Sequence, residues 1–219
     1  MSTRATFESE MRSLEDRLRA MADQVGGAVE QATQALVNHD DLLARRVIEG
    51  DEDINRLWAQ LAQDILEIIA RQQPLASDLR EIMAISAIIT DLERIGDHAK
   101  RIAGTALDIA ADPPPEPLVD IPRMAYLACE LLRAQVDAFL ARDSASARRI
   151  ADRDSEIDSL YRKCYSDLLS NMRAAPESID RGSKLMWTAK SIERIGDHVT
   201  NIGEWVVFLE TGRLVELNT

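Results

Sequence analysis

The chain is poor in the residues that build stapled or β-rich folds. Its two cysteines, Cys129 and Cys164, are too few for a disulfide framework and fit a reducing compartment. Three Trp, three Tyr and three Phe among 219 residues, with no β-branched run alternating at period two, leave little for a sheet. The longest nearly apolar stretch, Ile82 to Ile89, is interrupted by Ser86 and too short to span a bilayer. The first residues turn acidic at Glu8 and Glu10 and lack the apolar segment of a secretory signal. A basic run is missing too, and acids outnumber bases 38 to 26, a formal charge of −12. That balance argues against binding a nucleic-acid backbone and against docking directly onto anionic lipid. These absences describe a soluble cytoplasmic protein.

Proline is concentrated rather than abundant. Of seven, Pro113, Pro114, Pro115, Pro117 and Pro122 crowd one stretch, while Pro74 and Pro176 stand alone. Proline inside a helix costs ~3 kcal/mol or more, so these positions mark helix ends. Between them, apolar residues recur at steps of three and four, the helical period. Asn38-His39-Asp40 and Arg142-Asp143-Ser144 supply turn and N-cap residues. The pattern predicts an all-α fold of six long helices at about 7–38, 41–71, 78–111, 122–141, 144–174 and 178–211.

The six helices are two copies of three. Ala44-Arg45-Arg46-Val47 returns as Ala147-Arg148-Arg149-Ile150. Asp51-x-x-Ile54-x-x-Leu57-Trp58 returns as Asp154-x-x-Ile157-x-x-Leu160-Tyr161. Glu93-Arg94-Ile95-Gly96-Asp97-His98 returns unchanged as Glu193-Arg194-Ile195-Gly196-Asp197-His198. An internal duplication is the economical account. It predicts tandem, pseudo-symmetric three-helix bundles, residues 1–112 and 123–219, joined by a Pro-rich linker at 113–122.

The second helix of each copy carries an acid where its pattern calls for an apolar residue. Val47, Ile54, Leu61 and Ile68 form one heptad row, and Trp58 and Ile65 form its neighbour, which runs back to Asp51. Asp154 holds the matching position in the second copy, behind Tyr161 and Leu168. Burying an unpaired carboxylate costs several kcal/mol, so something must compensate it. On the third helix, Glu93 and Asp97 lie one turn apart on the border of an apolar stripe, and Glu193 and Asp197 repeat this on the sixth. Antiparallel packing would gather Asp51, Asn55, Glu93 and Asp97 in one cluster and Asp154, Asp158, Glu193 and Asp197 in the other.

With no matching Lys or Arg in the seam, such clusters call for a hard divalent cation: Mg²⁺, Mn²⁺, Ca²⁺ or iron. The alternative is a solvated acidic face whose acids pair with Arg94, Lys100, Arg101 or Arg194. His98 and His198 read as hydrogen-bonding residues at the rim of the clusters. Gly96 and Gly196 read as points of close helix approach, and Trp58, Tyr161 and the cysteines as core or boundary residues.

These motifs, with Gln73-Pro74-Leu75-Ala76-Ser77-Asp78-Leu79-Arg80 and the run Glu193 to Glu204, resemble the PhoU family of bacterial phosphate-uptake regulators over essentially the whole chain. The resemblance implies two three-helix bundles with divalent or multinuclear metal (iron, zinc, manganese or magnesium) at the Glu-x-x-x-Asp motifs. Asp51, Asn55, Glu93, Asp97, Asp154, Asp158, Glu193 and Asp197 are then ligand candidates, with His98, His198 and Asn201 behind them. It further implies a cytoplasmic negative regulator of the phosphate-starvation response that restrains phosphate uptake. Such a protein links the ATPase subunit of the phosphate ABC transporter to the PAS region of its sensor histidine kinase, often as a homodimer. The first copy departs from the pattern, with Asn55 in place of Asp158 and Arg101 in place of Asn201, so the second cluster is expected to hold metal more tightly.

Three functional classes compete. An adaptor needs affinity that differs between partner states, not a reactive constellation. A carboxylate-bridged metal oxidase places Glu-x-x-His on paired helices, whereas Gly96 and Gly196 stand three residues after Glu93 and Glu193. A structural bundle would bind ions incidentally. No phosphate-binding loop with a Gly-Lys-Ser/Thr ending occurs, and no Ser or Cys has an evident activating base, so the chain reads as non-enzymatic.

Overall fold

Two short turns set the course of the chain, and both use the same backbone solution. His39 and Arg142 take left-handed conformations, φ 51° and 56°. The residue after each, Asp40 or Asp143, donates its N–H back to Ala35 or Ala138 at 3.0 and 2.9 Å, closing the preceding helix. The same aspartates cap the next helix, accepting from the N–H of Leu43 and of Ser146, each at 2.9 Å.

In the computed structural model, which describes residues 3–109 and 120–217, α1 spans Thr3–Asn38, α2 Asp41–Gln72 and α3 Ser77–Asp108. The second half comprises α4 Asp120–Ala141, α5 Ser144–Asp152, α6 Asp154–Ala174 and α7 Ile179–Thr211, with a 3₁₀ turn at Pro176–Ser178. No strand occurs among the described residues, and the fold is all-α as the periodicity requires. The linker expected at 113–122 lies outside the described residues up to position 119, as do positions 110 and 111 of the third predicted helix. Asp120, Ile121 and Pro122 already belong to α4, whose first turn tolerates proline because its N–H groups have no helical acceptor.

One expected helix is divided. The segment 144–174 breaks at Arg153, where α5 gives way to α6. Arg153 donates its N–H to Ile150 and Glu156 donates to Arg153, both across three residues, so the coil tightens locally. The Ser155 hydroxyl donates to the Asp152 carbonyl at 2.8 Å and helps hold the tightened turn.

Helices α1, α2 and α3 pack on one another, and α4, α5 and α6 gather around α7. The halves meet where α3 lies against α7 and α1 against α4. The α3 stripe Ile85, Ile88, Leu92, Ile95, Ala99, Ile102 and Ala106 is buried throughout. Its α7 counterpart, Leu185, Ile192, Ile195, Val199, Ile202 and Val206, is buried as well. Full burial of each large aliphatic side chain contributes about 1.5–3 kcal/mol, so each stripe is a major source of its helix's packing energy. Cys129 and Cys164 are buried free thiols that burial pushes up to about 12 and about 11, which leaves them protonated and inert. Trp58 departs from its core assignment: it is 36% exposed, its indole N–H reaching toward the Thr90 hydroxyl at 3.4 Å.

Candidate functional site

The two seam aspartates are buried, Asp51 at 2% exposure and Asp154 at 3%. Each lies against the glycine of a hexapeptide on the neighbouring helix. A methyl group on Gly96 would stand 3.2–3.3 Å from Ile54 and 3.9 Å from Asp51 Oδ1. On Gly196 it would collide with the Asp154 carboxylate and press on Ile157 at 3.1 Å. The glycines therefore permit close approach of α2 to α3 and of α6 to α7, and in the second copy they leave the carboxylate its space.

Around Asp51 the structure corrects the expectation of a seam without cations. Lys100 Nζ stands 2.7 Å from Asp51 Oδ2, and Asn55 donates to the same oxygen at 3.1 Å. Asp51 Oδ1 is buried with no hydrogen-bond partner among the described residues. Arg94 lies 3.5 Å from both Glu93 and Asp97. Burial, then the charges of Asp97 and Asp51, pushes the Glu93 carboxyl above its ordinary value, so the three acids share one field despite their cations.

The second cluster is also interleaved with cations. Lys190 holds Glu193 at 2.5 Å, Arg194 holds Asp197 at 3.3 Å, and Arg162 stands 3.9 Å from Asp158. The position that matches Lys100 one hundred residues on is Thr200, which is buried and neutral. The alternative of acids paired with nearby Arg and Lys thus accounts for the contacts of Arg94, Lys100 and Arg194. Arg101 makes no ion pair among the described residues and faces solvent.

The histidines lie between the copies instead of at the rim. The His98 and His198 rings face each other across the α3–α7 seam with centroids 5.8 Å apart. Asp91 of α3 contacts His198 Nδ1 at 2.8 Å and accepts from Asn201 at 3.2 Å, so one carboxylate ties the halves together. The matching position in the second copy is Ser191, and His98 Nδ1 has no partner among the described residues. Burial first, then the charges of His198, Arg101, Arg194 and Arg94, lowers His98 to about 4. In the sequence, the signal of Asp91 is only a departure from the repeat, Asp against Ser.

The donor set suits a hard cation in kind: the candidate ligands are oxygens, and Asp51 Oδ1 is a buried acceptor in want of a partner. As they stand, no three His, Cys, Asp or Glu side chains among the described residues are grouped to hold one. An ion at Asp51 would therefore have to compete with Lys100.

Fold and site together define a duplicated helical-bundle protein with a carboxylate seam in each half. The PhoU domain model matches the chain twice, at residues 18–106 and 121–206. A phosphate-specific transport system accessory protein PhoU homolog from Rhizobium meliloti (strain 1021) is 36% identical, covering 95% of this chain and 88% of that one. PhoU of Escherichia coli (strain K12) is 34% identical over 94% of this chain and 86% of its own length. Crystal structures of PhoU from Pseudomonas aeruginosa and Streptococcus pneumoniae superpose with TM-scores of 0.90 and 0.89 at 34% and 30% identity. They cover 94% and 95% of this chain and 100% and 99% of theirs. The chain belongs to the PhoU family.

Proposed function

We propose that this chain is a non-enzymatic accessory and regulatory protein of a phosphate-specific transport system, restraining phosphate uptake and damping the phosphate-starvation response. The observation that carries this reading is similarity along nearly the whole chain to relatives named as accessory proteins of phosphate-specific transport. It acts in the cytoplasm, as a homodimer, between the ATPase subunit of the phosphate ABC transporter and the PAS region of the sensor histidine kinase. No helix among the described residues is long and apolar enough to cross a membrane, which suits attachment through partners.

A divalent or multinuclear metal (iron, zinc, manganese or magnesium) belongs to the same reading. Asp51, Asn55, Glu93 and Asp97 would hold it in the first copy, and Asp154, Asp158, Glu193 and Asp197 in the second. His98, His198 and Asn201 would stand behind them. When bound, the ion supplies positive charge that relieves carboxylate repulsion and offers a docking point for an acidic group. The buried Asp51 oxygen and the displaced Glu93 titration support this assignment.

The test is binding of purified chain to the transporter's ATPase subunit with and without chelator, beside far-ultraviolet circular dichroism. Chelation should weaken binding about tenfold, some 1.4 kcal/mol, with helicity retained. Parallel loss of helicity would make the metal structural only, and no binding under either condition would refute the adaptor role.

A further inference from the structure

An acidic chain should not, by composition, make a pocket walled by cations, yet this one does. A pocket of about 510 Å³ opens between α3 and α7, and Arg94, Arg101, Lys190 and Arg194 line it without a carboxylate among the lining residues. The motif that repeats unchanged places Arg94 and Arg194 on facing helices, and Arg101 and Lys190 come from positions where the copies differ.

These cations can take up a ligand. Lys190 is engaged by Glu193 at 2.5 Å, whereas Arg94 rests on Glu93 and Asp97, each at 3.5 Å, and Arg194 on Asp197 at 3.3 Å. Half-exposed pairs of that length are worth about 0–1 kcal/mol each, little resistance to a doubly charged anion. A guanidinium carries five N–H donors, so donors remain beyond those contacts. Arg101 has no ion pair among the described residues. At the wall, His98 Nδ1 is buried and unpartnered among the described residues, and the Ser191 hydroxyl adds a neutral donor.

Size and shape narrow the class of ligand. Small-molecule pockets run roughly 300–1,000 Å³, a range that excludes a duplex or a folded partner as the occupant. Planar guanidiniums match the paired oxygens of phosphate. At the lip stands Trp187, 73% exposed, whose indole offers a stacking face to a planar group.

We propose that the pocket between α3 and α7 binds a phosphate-bearing small molecule, its phosphate held by Arg94, Arg101 and Arg194 where the two copies meet. The site depends on neither the metal nor the adaptor role.

Isothermal titration of the full chain in chelator and about 0.15 M salt, with ADP, pyrophosphate and inorganic phosphate as probes, tests this directly. At least one probe should bind with a Kd below about 1 mM. Arg101→Gln, at an exposed position without an ion pair, should weaken that probe about tenfold, as loss of a charged hydrogen bond does. Trp187→Ala separates the sources: weaker ADP with unchanged pyrophosphate supports a nucleotide, and no change in either supports an inorganic phosphate species. Absence of binding by all three probes with a Kd below about 1 mM overturns the proposal, as does binding that survives Arg101→Gln together with Arg94→Gln and Arg194→Gln. Circular dichroism confirms the fold of each variant. If the triple variant unfolds, the Arg101→Gln result decides alone.

Discussion

In the first copy Asp51 is bonded to Lys100 and Asn55, whereas the second copy has Thr200 and Asp158 at the matching positions. His198 rests on Asp91, whereas Ser191 is the residue that matches Asp91 on the side of His98. The hexapeptides are identical, so these differences arise entirely from flanking residues. Duplication kept what the backbone needs: the left-handed residue before each capping Asp, the glycine opposite each seam Asp, and the apolar stripes. Divergence moved charge around that common frame: Lys100 pairs with the first seam aspartate, and the matching position in the second copy is the neutral Thr200.

The largest test of this contrast is metal affinity. An Asp154→Ala, Glu193→Ala variant should lose about a hundredfold or more by calorimetric titration, against about tenfold for Asp51→Ala, Glu93→Ala, because an ion in the first copy must displace Lys100. A larger loss from the first-copy variant would reverse the ranking.

Next in size is the pair of glycines. Gly196→Ala drives a methyl group into the Asp154 carboxylate and should destabilise the fold by about 2 kcal/mol in urea denaturation. Gly96→Ala crowds the Ile54 Cγ2 and Cδ1 methyls at 3.2 and 3.3 Å but clears Asp51 Oδ1 at 3.9 Å, and about 1 kcal/mol of gained helix propensity offsets the crowding, so its stability should stay near wild type. Equal losses in the two variants would show that the seams are packed alike.

The smallest effect concerns the histidines. His98 titrates at about 4 in the folded chain against an ordinary value of 6.5, so the unfolded chain binds more protons between those values. Its contribution is complete above pH 6.5 and is lost as pH falls toward 4. Allowing for solvent screening, that loss is about 1–2 kcal/mol. His98→Asn should flatten stability across this window. Should the variant keep the full acid-side decline, the burial of His98 would not be its source.

Much of the fold was legible in the sequence. Proline positions, two capping aspartates and apolar residues at steps of three and four located the helices to within a few residues. The break at Arg153 escaped because it arises from hydrogen bonds across three residues, which leave the apolar period intact. The seam acids were legible as exceptions to a heptad row. Lys100 was legible only as one of several possible partners for them, since it lies 49 positions from Asp51, and Asp91, which lies 107 from its partner His198, was not legible at all. Trp58 also misled, since its row is buried at Asp51 and Ile65 but turns toward solvent between them.

By itself, the sequence determined an all-α chain built twice from one three-helix unit, with an acid set into each inter-helix seam. Those features are local or periodic, so they follow from backbone hydrogen bonding, capping and the helical repeat. Only the tertiary structure decided that α3 and α7 would bring two histidines and four cations to one pocket, and that Lys100 would reach Asp51. Such meetings depend on which faces of distant helices touch and where long, flexible Lys and Arg side chains come to rest, and no spacing along the chain records either.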